Sequence, residues 1–250
     1  MQKKQQDSLE PSVQTGFIAP LSRRKFLNYS GLSAAALLLA TSCKKEINDP
    51  EALQPNEGET LLGRNDNPAN VVNLGKGDIG ILNYAYALEQ LEAAFYIQVV
   101  SSFYRGVTGK EMEYLTDIRD HEIAHREFFK TVLGNRAIRT LEVDFSNIDF
   151  SSRDSVLGTA KVFEDLGVSA YNGAGELLEN PAYLLLAGKI VSVEARHAAT
   201  LRDLISYGSF ADSTAVDSQG LDLVRTPPEV LAMADPFIVT RILAHNLPTS

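Results

Sequence analysis

Apolar residues recur at three- and four-residue spacing in four segments of helix length between residues 78 and 208. The first segment follows Asp78, a predicted N-cap, and carries one apolar stripe made of Ile81, Ala85, Leu88, Leu91, Phe95 and Val99. The second begins with Thr108 and Glu111, which have capping-box spacing, and stops at Gly134. These two segments predict a helical hairpin.

A second pair of helices is predicted after a long connection. The third segment starts near Ser155 and stays periodic despite Gly158 and Gly167. The fourth has Asn180 as a predicted N-cap with Pro181 at the first helical position, and it ends before the glycine at 208. Residues 134–152 alternate too briefly to form more than an extended crossover, and a short helix is predicted from residue 228. The pattern therefore predicts an all-α four-helix bundle with one long crossover, plus a short C-terminal helical segment.

Charge and composition narrow the class of partner. The 250 residues have a formal net charge of -9, with 44% hydrophobic and 22% charged residues, which is typical of one globular domain with additions at its ends. Nucleic-acid binding depends on clustered Lys and Arg, and the sequence has no such cluster after residue 45. A nucleic-acid partner is therefore not expected.

The N-terminal part has the layout of an export signal. Residues 22–43 run from an arginine pair through an apolar stretch to small residues and Cys43, the one cysteine in the chain, which excludes an intramolecular disulfide. The apolar stretch is much shorter than the roughly 20 residues that span a bilayer. "SRRKFL" resembles a twin-arginine translocation motif, and "LATSC" resembles a lipoprotein cleavage box, although Ala40 stands where a leucine is usual. The alternative is a weakly hydrophobic N-terminus with an incidental thiol.

These features predict three parts. Residues 1–42 are expected to be a twin-arginine lipoprotein signal peptide, residues 43–77 a disordered tether, and residues 78–250 the folded domain. Acylation of Cys43 would make the mature protein an exported, periplasmic lipoprotein that is held at a membrane by its lipid alone.

Two Glu-x-x-His pairs stand on the second and fourth predicted helices. Glu122 precedes His125 by three residues, and Glu194 precedes His197 by three, in a chain with only four histidines. Residues three apart on a helix lie on nearly the same face, so both side chains of a pair can reach one point. A single such pair is common, but two on corresponding helices suggest a shared site.

A second repeat links the first and third helices. Glu89 is followed seven residues later by Tyr96, and Glu164 is followed seven residues later by Tyr171. The first glutamates of the two halves are 75 residues apart and the Glu-x-x-His glutamates are 72 apart. The spacing indicates an approximate duplication of a helical hairpin.

Four carboxylates that face each other in a bundle core would repel and lose hydration unless cations neutralised them. One Glu from each of two helices, with Glu-x-x-His from each of the other two, is the ligand set of a di-metal carboxylate site. The predicted ligands are Glu89, Glu122, His125, Glu164, Glu194 and His197. Oxygen and imidazole donors favour two divalent ions of iron or manganese.

Several neighbours have alternative interpretations. Glu92 competes with Glu89, which is preferred because only Glu89 matches the tyrosine spacing of the third helix. His121 is expected to cap, to be solvated or to orient a ligand rather than to bind metal. Tyr96 and Tyr171 are either ordinary core residues or hydrogen-bond donors to ligand carboxylates.

Residues 78 to about 245 resemble the bacterial ferritin-like domain family that includes desiccation-related proteins. The resemblance is carried by "LNYAYALEQLEAAFY", "HEIAHREFF", "FEDLGVSAYNGA" and "IVSVEARHAATLR". It implies the fold and the ligand positions above, but no single activity, because related di-metal bundles include oxidases, peroxidases, manganese catalases and storage ferritins. We expect an oxidoreductase that reacts with dioxygen or peroxide. The alternatives are iron storage and a non-enzymatic stress or desiccation-related structural bundle, and assembly into a homo-oligomer is left open.

Overall fold

The computed structural model describes residues 70–249, most of which are helical. Four long helices and a short one follow in chain order: α1 (Gly77–Ser101), α2 (Gly109–Leu133), α3 (Arg153–Gly175), α4 (Pro181–Ile205) and α5 (Pro227–Ala234). Two short strands stand at the ends of this part of the chain, β1 (Val71–Asn73) and β2 (Arg241–Leu243). Helix α1 packs along α2, and α3 packs along α4. The predicted all-α four-helix bundle with a long crossover at residues 134–152 is confirmed.

Local signals fix three of the helix ends. Thr108 and Glu111 form the predicted capping box at the start of α2, and Gly134 ends that helix with a φ of 57°, which suits a glycine. The side chain of Asn180 accepts a hydrogen bond from the backbone N–H of Ala182 and so caps α4, whose first residue is Pro181.

The start of α1 differs from the prediction. Asp78 does not cap its own helix, because Lys76 occupies the N-cap position and makes no side-chain capping bond. The Asp78 carboxylate instead accepts hydrogen bonds from the backbone N–H groups of Glu179 and Asn180, at 2.8 and 3.0 Å. Asp78 therefore joins the start of α1 to the start of α4, a long-range contact that local spacing does not reveal.

Helix α1 is buried at every position from Gly80 to Ala93 rather than along one stripe. The crossover covers its outer side, and two α1 side chains hold the crossover there. Asn83 donates to the carbonyls of Leu74 and Arg136 and accepts from the N–H of Ile138. In the next turns, the side-chain oxygen of Gln90 accepts from the N–H of residue 141 at 2.8 Å. These bonds satisfy buried polar groups that would otherwise destabilise the core.

The predicted tether at residues 43–77 is wrong at its C-terminal end. Strand β1 pairs in parallel with β2, with Val71 opposite Arg241 and Asn73 opposite Leu243. Leu74, the next residue, is fully buried. Three residues are too few to show a period, so the polar composition around them concealed the strand. The remainder of the predicted tether, the predicted signal peptide and Cys43 lie outside the described residues.

Between residues 70 and 249, none of the helices combines the length and apolar composition that crossing a membrane requires.

Candidate metal centre

Four glutamates, one from each long helix, converge at the middle of the bundle. Glu89 on α1, Glu122 on α2, Glu164 on α3 and Glu194 on α4 all have side chains with no solvent-exposed area. The two histidines come from α2 and α4, three residues after the glutamates of those helices. The structure thus brings together all six side chains that the sequence singled out.

The six side chains form two overlapping groups. In each group one ligand atom per residue lies within 4.8 Å of every other. One group contains Glu89 and His125, the other contains Glu164 and His197, and both contain Glu122 and Glu194. Two glutamates are therefore shared, while each group has one glutamate and one histidine of its own.

The shared glutamates divide their oxygen atoms between the groups. Nδ1 of His125 lies near Oε1 of Glu194, Oε2 of Glu89 and Oε2 of Glu122, at 2.8, 3.4 and 3.7 Å. Nδ1 of His197 lies near the other oxygen of each shared glutamate, 2.9 Å from Oε1 of Glu122 and 3.4 Å from Oε2 of Glu194. It is also 3.2 Å from Oε2 of Glu164. Each shared carboxylate thus presents one oxygen to each group, as a carboxylate that bridges two cations does.

The two tyrosines cross between the hairpins. The hydroxyl of Tyr96 on α1 donates to Oε1 of Glu164 on α3 at 2.5 Å. Conversely, the hydroxyl of Tyr171 on α3 donates to Oε1 of Glu89 on α1. Each tyrosine holds the outer oxygen of a carboxylate and leaves Oε2 facing the histidine of its group. Both tyrosines are buried, so they are at once core residues and hydrogen-bond donors.

Several buried polar atoms of the cluster make no hydrogen bond of suitable geometry within residues 70–249, although some of them lie within 3 Å of one another. They are Oε2 of Glu89, both side-chain oxygens of Glu122, both of Glu194, and Nδ1 of His125. Buried polar groups are rarely left unsatisfied in folded proteins. These atoms are the ones that point into the two groups, so cations placed there would satisfy them together. The residues present therefore fit a di-metal site.

The electrostatics of the cluster show the same need for positive charge. Burial, opposed in part by His125, raises the pKa of Glu89 to about 8. Burial also raises the pKa of Glu164 well above its usual value, although His197 opposes the shift. The two histidines have raised pKa values despite their burial, because the surrounding carboxylates favour the imidazolium form. Without metal, protons therefore supply the positive charge.

His121 lies beside the second group rather than in it. Its Nδ1 is 2.9 Å from Nε2 of His197, and the two rings are stacked with their centroids 5.1 Å apart. Because Nδ1 of His197 faces the carboxylates, His121 contacts the outer nitrogen of that imidazole. This is a position from which His121 can orient His197.

Glu92 is inside the site together with Glu89, although the sequence presented the two as alternatives. Glu89 belongs to one of the close groups, whereas Glu92 is 4% exposed and belongs to neither. The sequence signal that could have revealed the burial of Glu92 is the 75-residue offset between the two halves, which pairs Glu92 with Gly167 on α3.

A comparison with protein-family models matches residues 77–207 to the ferritin-like domain. No curated protein is significantly similar to the chain. The match covers the four long helices and therefore all residues of the cluster. With the four-helix architecture and the buried Glu and His cluster, it establishes that this chain belongs to the ferritin-like domain family.

Proposed function

We propose that the centre binds two divalent cations, iron or manganese, and that the loaded protein reacts with dioxygen or peroxide. The observation that carries this proposal is the division of oxygens by Glu122 and Glu194, each of which offers one oxygen to each group. The division supports two cation positions with common ligands, rather than a single site with surplus acids.

Charge balance supports the number of cations. The two groups contain four carboxylates in total, and the histidines bind metal in their neutral form. Two divalent cations would therefore bring the four negative charges to zero in a core where unbalanced charge is strongly unfavourable. The metals proposed follow from the donor atoms, because carboxylate and imidazole donors without thiolate suit iron and manganese.

The side chains around the ligands have distinct tasks in this proposal. The cations, when bound, would supply open coordination positions and electrons for the reduction of dioxygen or peroxide, and a second peroxide or an external reductant would return them to the divalent state. Tyr96 and Tyr171 fix the orientation of Glu164 and Glu89, and His121 fixes the ring of His197. The apolar surroundings of α1 exclude bulk water and so strengthen every electrostatic interaction inside.

The site reaches solvent mainly on the side of α2. His125 keeps 13% of its side chain exposed, whereas His197 keeps 5% and the four carboxylates none. In this proposal the substrate is a small oxidant, because a bulky molecule could not enter a cluster buried to this extent.

The decisive experiment combines metal analysis with assays of oxidant consumption. The purified full chain, reconstituted with Fe(II) or Mn(II), is expected to hold two ions per chain. It is expected to consume peroxide over many cycles, or dioxygen over many cycles when an external reductant is supplied in excess. Consumption of one equivalent without turnover, by a large closed assembly on gel filtration, would support iron storage instead. Two bound ions with no consumption would support a stress-related structural bundle, and a chain that stays empty after reconstitution would exclude the metal centre.

We also propose that the protein is exported and tethered to a membrane through Cys43. The support is the order of features in residues 22–43, where an arginine pair, an apolar stretch and a cysteine follow one another. Export by the twin-arginine route carries folded proteins, so the cations would be loaded before translocation. Cys43→Ser is expected to move the protein from the membrane fraction to the soluble fraction and to abolish fatty-acid labelling. Retention of both label and membrane association would contradict the anchor.

A further inference from the structure

Glu92 is a fifth glutamate of the site that the four-carboxylate scheme does not use. It stands on α1 one turn after Glu89 and is 96% buried, since only 4% of its surface is exposed. After burial itself, the strongest influences that raise its pKa are the two shared carboxylates, Glu122 and Glu194. Glu92 is therefore coupled electrostatically to the two carboxylates that both groups contain.

The room for this carboxylate comes from Gly167. A Cβ atom at position 167 would lie 3.0 Å from Oε1 of Glu92 and 4.0 Å from Cγ of Glu194. Gly167 stands one turn after Glu164, just as Glu92 stands one turn after Glu89, so the two positions correspond in the two halves. A side chain at position 167 would therefore crowd the Glu92 carboxylate.

The position of Glu92 along the bundle axis follows from the hydrogen bonds of the two tyrosines. Tyr96, seven residues beyond Glu89, reaches Glu164, and Tyr171, seven residues beyond Glu164, reaches Glu89. This crossing requires α1 and α3 to run in opposite directions past each other. Positions one turn beyond each glutamate, about 4.5 Å along the axis, therefore lie between the two groups. Along the bundle axis, Glu92 therefore stands between the levels of Glu89 and Glu164.

Its direction of approach follows from the helix arrangement. Helix α1 is packed against α2 and α3, and α4 is packed against α3 and α2. The edge formed by α1 and α3 is therefore opposite the edge formed by α2 and α4, which carry the histidines. The Glu92 carboxylate, which lies against Gly167 on α3, is therefore on the side of the centre that has no imidazole.

We propose that Glu92 is a third shared carboxylate, which spans both cation positions from the α1 and α3 side and exchanges there with a small anionic ligand. This inference rests on the proposed function, because it requires that both positions be filled. Glu92 is not needed for charge balance, since four carboxylates already neutralise two divalent cations. An entering anion would therefore displace Glu92 more easily than any of the other four carboxylates.

The experiment measures azide binding to the full chain loaded with manganese or iron, by absorption titration, beside metal analysis of the same samples. Glu92→Gln keeps the shape of the side chain and removes its charge. It is expected to retain two ions per chain and to bind azide about tenfold more tightly, a change that corresponds to about 1.4 kcal/mol. Gly167→Ala, which crowds the Glu92 carboxylate, is expected to tighten azide binding in the same direction.

Gly158→Ala is the matched control, because it is on the same helix and a Cβ there would have no neighbour within 4 Å. It should bind azide as the wild type does. Equal azide affinity in the wild type and Glu92→Gln, with two ions in both, would overturn the role of Glu92 alone. Loss of an ion from Glu92→Gln would also overturn it, because an exchangeable ligand does not hold the metal. A wild type that binds no metal would instead overturn the proposed function.

Discussion

The hydroxyl of Tyr96 donates a hydrogen bond of 2.5 Å to Glu164, so a residue of the first hairpin orients a carboxylate of the second. Tyr171 and Glu89 repeat the bond in the opposite direction. Each hairpin thus positions one carboxylate of the other, and neither half of the centre is complete within one hairpin.

Tyr96→Phe should weaken both the fold and the centre. The change leaves Oε1 of Glu164 buried without its donor, which we expect to lower the free energy of unfolding by roughly 1–3 kcal/mol. Loss of a side chain that orients a metal ligand through a hydrogen bond typically lowers metal affinity by about 10- to 100-fold. Chemical denaturation and metal titration measure the two effects. Tyr207→Phe, at a residue that is 96% exposed, is the control, and equal losses in both variants would contradict the role of Tyr96.

The shared and unshared glutamates should differ in the number of ions that they hold. Glu122 belongs to both groups, so Glu122→Ala is expected to lose both ions together with the thermal stability that they confer. Glu164 belongs to one group, so Glu164→Ala is expected to keep one ion per chain. Metal analysis after gel filtration distinguishes the two outcomes.

Glu127→Ala is the control for this pair, because Glu127 is on α2 but half exposed. It should hold as many ions as the wild type. If Glu122→Ala and Glu164→Ala lost the same number of ions, the two overlapping groups would not describe two cation positions.

His121→Ala should act on one cation position and spare the other. His121 contacts His197 and belongs to neither ligand group, so we expect weaker binding, by about 10-fold or more, at the position of Glu164 and His197. Stepwise metal titration should show two unequal affinities where the wild type shows closer ones. His245→Ala, at an exposed histidine, is the control. Two equally weakened positions would argue against a local effect.

Stability of the metal-free protein should fall as the pH rises. Glu89 has a pKa of about 8 in the folded chain and an ordinary value of 4.5, so its contribution is complete below about 4.5 and is lost as the pH passes about 8. His125 and His197 also have raised pKa values in the folded state, and their contributions are likewise lost with rising pH. Between about pH 7 and about pH 9 we expect a falling Tm without metal.

Metal should reverse this trend, because its binding releases the protons that the cluster otherwise holds. The difference in Tm between the loaded and the metal-free protein should therefore widen over the same pH range. Thermal unfolding followed by circular dichroism, with and without Mn(II), measures the difference. A gap that narrows at higher pH would show that protons and cations do not compete for the cluster.

Asn83→Ala tests the attachment of the crossover. Asn83 is 2% exposed and makes three hydrogen bonds to backbone groups before and after the first hairpin. We expect a loss of roughly 2–4 kcal/mol in the free energy of unfolding, because buried backbone groups lose their partner. Chemical denaturation measures the loss, and a change below about 1 kcal/mol would mean that water replaces the side chain.

The sequence predicted what depends on local periodicity and spacing. The helices, their caps at Thr108 and Asn180 and the long crossover follow from apolar periods and capping residues, and the fold is confirmed. The duplicated spacing singles out the six proposed ligands because it places corresponding residues on corresponding faces, and the structure brings their side chains together. That they bind metal stays a prediction.

What the sequence did not predict depends on contacts between distant segments. Asp78 bonds to the start of α4, and β1 pairs with a strand about 170 residues later. The burial of both Glu89 and Glu92 was also missed, because helical spacing shows that two side chains share a face but not whether the opposite helix leaves room for both. That room is provided by Gly167, which has no side chain.

The parallel pairing of Val71–Asn73 with Arg241–Leu243 has a mechanical consequence. Tension applied through the chain before residue 70 would load this ladder before it reached the first helix. Three residue pairs would have to separate before the force reached α1. The ladder therefore protects the buried cluster from such a force.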